Sequence, residues 1–144
     1  EQIKKLPFFL RKRRENFNQL EANLKKIDNV TILPQPVDEH FCSSHYCLGM
    51  MLDHGIAHRR QVIMEALGKK GVGTSIYYPQ PVPRMTYYRL KYGYEEKKFI
   101  NASTISDSII ALPVAPHLDL TDMDYIVKSI EEVWSEMNVW SWKT

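Results

Sequence analysis

The chain has little of what marks secreted, membrane-spanning or metal-clustered proteins. Two cysteines among 144 residues make no disulfide framework, so the expectation is reduced thiols in the cytoplasm. No apolar run approaches the roughly 18 residues that span a bilayer. The opening Glu1-Gln-Ile-Lys-Lys5 lacks the apolar stretch of a signal peptide, and its non-Met start points to trimming, processing or excision from something longer. A net charge of +2 gives no strong electrostatic case for nucleic acid. Walker, Gly-x-Ser-x-Gly and His-Glu-x-x-His sequences are missing, as are repeats and low-complexity tracts. What is present, 44% hydrophobic and 25% charged residues, is the composition of one ordinary globular domain.

Hydrophobic periodicity supplies the elements. Phe17, Leu20, Leu24 and Ile27 recur at helical spacing, so a helix is expected over Phe9–Ile27. Val30–Leu33 reads as a strand closed by Pro34 and Pro36, and Ser44–Leu52 as a second strand ending at Asp53-His-Gly55. The two should pair without a tight hairpin. Val62, Ile63, Ala66 and Leu67 stripe a helix from His58 to Lys70, with Gly71 suited to its end. Val72 to Tyr78 alternate as a strand does. Short helices are expected over Met85–Tyr92, stopped by Gly93, and over Asn101–Ser108, with a strand at Ile109–Leu112. A last helix starts near Leu120, with Thr121 as N-cap, and ends near Met137. These interleaved elements predict an α+β fold: a short, mainly antiparallel sheet with helices packed on one face.

Several clusters have a functional and a plain reading. His40, Cys42, His45, Cys47 and His54 are zinc-ligand types, but their spacing fits no standard zinc pattern, and Cys47 suits an apolar strand as a core residue. No metal is expected there. Arg11 to Arg14 beside Phe8 and Phe9, and the tyrosine-rich stretch from Arg84 to Lys98, could stack bases and neutralise phosphates. At this net charge, solvated helix faces with snorkelling side chains explain them better. Trp134 reads as the buried face of the last helix, with Trp140 and Trp142 covering the end of the domain. Gly68-x-x-Gly71-x-Gly73 follows a helix rather than a strand, and so fails the context of a dinucleotide loop.

The most informative stretch is Gly71-Val-Gly-Thr-Ser-Ile-Tyr-Tyr-Pro-Gln-Pro-Val-Pro-Arg-Met85. Pro79, Pro81 and Pro83 remove three backbone donors within five residues, so the chain must leave any sheet as a stiff loop. That loop carries Tyr77, Tyr78, Gln80 and Arg84, and such loops are where binding residues concentrate.

Five segments occur in a telling order. They are Arg13-Arg-Glu-Asn-Phe-Asn-Gln-Leu20, Arg59-x-x-Val-Ile-x-x-Ala-Leu67, Gly71-Val-Gly-Thr-Ser-Ile-Tyr-Tyr-Pro79, Ala111-Leu-Pro-Val-x-Pro116 and Leu120-Thr-Asp-Met-Asp-Tyr-Ile-Val127. Together they resemble the C-terminal region of the DegT/DnrJ/EryC1/StrS sugar aminotransferases, over nearly the whole chain. The resemblance implies the small domain of an aspartate-aminotransferase-like (fold type I) pyridoxal phosphate enzyme. It implies residues 1–28 as a linking helix and 29–144 as an α/β sandwich, with the large cofactor-binding domain outside the chain.

Family members move an amino group, usually from glutamate, to a keto group on a nucleotide-linked sugar, typically as dimers. Their large domain carries the Schiff-base lysine, so this chain alone is expected to be inactive and to hold no catalytic or cofactor-binding residue. Tyr77, Tyr78, Gln80 and Arg84 are the expected substrate contacts. Two departures stand out: the family's loop histidine is replaced near Pro83 and Arg84, and Phe99-Ile100 stands where Phe-Pro is usual. The chain can thus be part of a longer enzyme, or a split or degenerate small domain that binds a partner chain. A nucleic-acid-binding module ranks below both.

Overall fold

The computed structural model describes residues 1–35, 40 and 42–139. Among the described residues six α-helices and three strands follow one another. Helix α1 spans Gln2–Leu24, strand β1 Val30–Ile32 and strand β2 Cys47–Leu52. Helices α2 (His54–Ala57), α3 (Arg60–Lys69), α4 (Thr86–Tyr92) and α5 (Ile100–Ser108) come next, then strand β3 (Ile109–Pro113) and helix α6 (Leu120–Glu136).

The sheet has the order β1-β2-β3 with both pairings antiparallel. Val30 faces Leu52, and Cys47 faces Pro113. On β2 the side chains alternate in the way period two demands: Leu48, Met50 and Leu52 are buried, while Cys47, Gly49 and Met51 are half-buried. The buried set meets Ile110 and Leu112 from β3, Phe17, Leu20 and Leu24 from α1, Ile63 and Leu67 from α3, and Met123, Ile130 and Trp134 from α6 in one core. This is the α+β arrangement expected from the sequence.

Two buried polar groups pin the layers. Asn16 is fully buried and its Nδ2 donates to the carbonyls of Ala115 and Leu118, both at 3.1 Å. Trp134 Nε1 donates to the Asp28 carbonyl at 3.0 Å. Each bond satisfies a donor on a buried side chain that would otherwise be costly to leave unpaired.

Four expectations need correction. Val72 to Tyr78 is not a strand: only Ser75 pairs, as a single bridge to Ala111, with N–O distances of 3.1 and 2.8 Å. After Ile76, Tyr77 and Tyr78 come the donor-free Pro79, Pro81 and Pro83, so no ladder can run on into the loop. The N-cap of α6 is Asp119 rather than Thr121; its carboxylate accepts from the Thr121 and Asp122 amides, and Asp122 returns the bond to the Asp119 amide. Asp119 and Asp122, three residues apart, close a reciprocal capping box that satisfies amides at the helix start. Helix α1 begins at Gln2 rather than Phe9 and ends at Leu24. Asp53-His-Gly55, expected only to end the second strand, leads into one helical turn at His54–Ala57. Trp140, Trp142 and Pro36 lie outside the described residues.

Candidate functional site

The proline loop leaves the sheet edge after the Ser75 bridge and lies against α5. It is fastened there by consecutive residues: Ser106 Oγ donates to the Tyr78 carbonyl at 2.7 Å, and Asp107 takes the Arg84 guanidinium in a two-pronged ion pair, with Nη2–Oδ2 at 2.7 Å. Between these ties Val82–Arg84 forms a 3-10 turn. The Tyr77–Tyr78 peptide bond is cis.

A cavity of about 550 Å³ opens beneath the loop. Tyr77, Tyr78 and Gln80 line it from the loop, and Tyr94, Phe99 and Ile105 from the α5 side. The walls are mainly apolar with a few polar tips, the usual make-up of a small-molecule site. Tyr78 is 70% exposed and Tyr77 40%, so neither ring is core filling.

The structure thus brings three of the four expected contacts to one cavity. Arg84 stands apart: it does not line the cavity, and Asp107 holds its charge. The ion pair in turn keeps the Asp107 carboxyl below the usual carboxylate range, the Arg84 hydrogen bond being the largest cause.

Aromatic contact carries the site further than the loop. Tyr77 meets Tyr78 at 5.6 Å between centroids and Tyr46 at 6.4 Å, and the Arg13 guanidinium lies over Tyr46 at 5.2 Å. Tyr46 and Arg13 come from the segment before β2 and from α1, some thirty and sixty residues away in sequence; the basic run Arg11 to Arg14 is visible in sequence, but its place beside Tyr77 is not, and nothing local announces Tyr46. Ser106 and Asp107 were equally invisible, since their partners are set by how α5 docks.

The would-be zinc residues do not converge: no three His, Cys, Asp or Glu side chains among the described residues are grouped to hold a metal. His45 instead packs its ring on Phe17 at 4.8 Å, and burial, then the charge of Arg14, pushes its pKa down. Cys42 is exposed, while burial pushes the half-buried Cys47 thiol up. His54 lines a different, larger opening of about 830 Å³ with Lys97, Ser103 and Asp107, which none of the four loop residues reaches.

The DegT/DnrJ/EryC1/StrS aminotransferase family matches residues 1–131, and the chain belongs to that family. A dTDP-4-dehydro-2,3,6-trideoxy-D-glucose 4-aminotransferase of Saccharopolyspora spinosa is 33% identical over 118 residues, covering 82% of this chain and 28% of that protein. An uncharacterised Methanocaldococcus jannaschii protein is 26% identical over 140 residues, covering 94% of this chain and 34% of its own.

In structure, the chain resembles the Helicobacter pylori aminotransferase PseC, involved in pseudoaminic acid biosynthesis. The TM-score is 0.80 at 23% identity, over 94% of this chain and 35% of PseC. Spr1654 of Streptococcus pneumoniae, solved in a pyridoxal phosphate (PLP) form, superposes with a TM-score of 0.76 at 20% identity, over 94% of this chain and 33% of that one. The chain spans about a third of the length of these relatives.

Proposed function

We propose that this chain is the small domain of a pyridoxal phosphate-dependent aminotransferase acting on a nucleotide-linked keto sugar, with glutamate as amino donor. The observation that carries this reading is the anchored loop: Tyr77, Tyr78 and Gln80 held over a cavity of about 550 Å³ in a chain that belongs to a sugar aminotransferase family. In this reading the loop closes the cleft over the sugar nucleotide. Tyrosine hydroxyls and the Gln80 amide meet sugar hydroxyls, and the ring faces pack against the sugar's apolar face. Arg84 joins them from the rim, its main work being to hold the loop against α5 through Asp107.

The cofactor belongs to the rest of a dimeric, cytoplasmic enzyme, supplied by the same polypeptide or by a partner chain. The residues here do not fit it. A Schiff-base lysine is activated by a desolvated site that lowers its pKa, yet no lysine among the described residues is buried. Lys70, the one clamped between two carboxylates, Glu132 and Glu136 at 2.9 Å each, has its pKa pushed up instead. This chain alone should therefore neither bind the cofactor covalently nor transaminate.

The test is steady-state kinetics of the full-length protein with the Tyr77→Phe, Tyr78→Ala and Gln80→Ala variants. A rise in KM for the sugar nucleotide of about tenfold, with KM for glutamate unchanged, is expected from the loss of one or two hydrogen bonds to substrate. Unchanged sugar-nucleotide KM in all three, or an internal-aldimine absorbance from this chain in isolation, would overturn the reading.

A further inference from the structure

We infer that Arg13 is the oxyanion contact of this site: its guanidinium takes a carboxylate or phosphate group of the substrate in the small cavity behind Tyr77. This rests on the reading of the Tyr77 loop as a substrate contact, and it adds a residue from a different element to that site.

The first observation is a guanidinium with nothing to neutralise it. On α1, Glu15 takes both Arg11 and Lys12, at 3.9 and 3.7 Å. No ion pair among the described residues uses Arg13, and its buried Nε has no hydrogen-bond partner. A buried donor without an acceptor costs about 1–3 kcal/mol, so such a group calls for a partner that arrives from outside. Arg84 offers the contrast. It was among the expected substrate contacts, but both of its prongs are already on Asp107.

The second observation is where Arg13 sits. It lines a cavity of about 220 Å³ together with Tyr77, Tyr46, Ser75 and Gly73. Tyr77 also lines the larger cavity under the loop, so the two spaces share a wall. The ring of Tyr46 lies under the guanidinium at 5.2 Å and meets Tyr77 at 6.4 Å, which orients the fork by cation–π contact. Size decides what can enter. Whole small-molecule ligands occupy cavities of about 300–1,000 Å³, so this space takes one charged group while the body of the molecule lies in the larger cavity. Planar, two-pronged donation is what guanidinium offers carboxylate and phosphate alike.

Both substrates of the proposed reaction carry such a group, and the experiment separates them. Isothermal titration of the full-length protein with inorganic pyrophosphate and, separately, with glutarate should show binding of one. Arg13→Gln should weaken it tenfold or more, about the worth of a charge-assisted hydrogen bond, and Arg13→Lys should restore part of the loss. In steady-state assays the same Arg13→Gln variant should raise KM for the matching substrate, nucleotide sugar or amino donor, more than it lowers kcat.

Binding of neither probe by the wild type overturns the inference. So does equal binding by Arg13→Gln with an unchanged melting temperature. If Arg13→Gln melts early, the Arg13→Lys comparison decides: full wild-type affinity with lysine would show that only a generic positive charge is needed, and would overturn the fork. Probe binding that depends on Arg13 in a protein with no transaminase activity would sink the proposed function while leaving the oxyanion site standing.

Discussion

At the residue scale, partners count for more than residue types. Arg13 and Arg84 are the same side chain on one small domain, yet Asp107 neutralises one and nothing on the described chain neutralises the other. The Asp107 fork also makes a prediction in pH. A carboxylate whose folded pKa is depressed contributes stability above its unfolded pKa and loses it as pH falls through the folded value. Asp107→Asn should thus lower the melting temperature at neutral pH. The two proteins should converge as the solution is acidified through and below the usual carboxylate range. Because the pair is largely solvated, the difference at pH 7 should stay below about 1 kcal/mol. Thermal melts from pH 7 down to pH 2 check this, and a gap that widens in acid would refute it.

Elements are decided by their ends as much as by their periodicity. The apolar stripe of α6, Met123, Ile126, Ile130, Val133 and Trp134, is buried, but the box at Asp119 sets where the helix begins. Asp119→Ala removes the acceptor for the Thr121 and Asp122 amides and should cost about 0.5–2 kcal/mol. Thr121→Val, which keeps both amide bonds, should cost much less; urea melts of the two variants compare them directly. Glycine serves at the opposite ends: Gly93 closes α4 at φ 64° and Gly71 follows α3 at φ 81°, conformations that side-chain-bearing residues adopt reluctantly.

For the whole molecule, one core joins the sheet to α1, α3 and α6, and Trp134 is its largest fully buried side chain. Trp134→Ala should cost about 3–5 kcal/mol from lost burial and the cavity left behind. Trp134→Phe, which loses the hydrogen bond and part of the ring, should cost less. Calorimetry orders the two, and a near-neutral Trp134→Ala would place the core elsewhere. By contrast α4 buries no residue, and Leu90 and Tyr87 on it are 78% and 61% exposed.

The sequence by itself determined the elements with strong periodicity and firm stops. Strand β2, helices α3 and α6 and strand β3 fall within a few residues of where apolar spacing, Gly71 and Pro113 put them, because local sterics and burial period act over a few residues. It also showed that the chain must turn stiffly at Pro79 to Pro83 and present Tyr77, Tyr78 and Gln80. Only the tertiary structure decided the rest. Whether Val72–Tyr78 became a strand depended on how much of β3 was free to pair, and one bridge at Ala111 was all that the prolines allowed. The roles of Arg13, Tyr46, Ser106 and Asp107 arise from residues brought together across the chain. A charge or hydrogen bond falls off within a few ångströms, so its partner is fixed by docking and not by spacing in sequence.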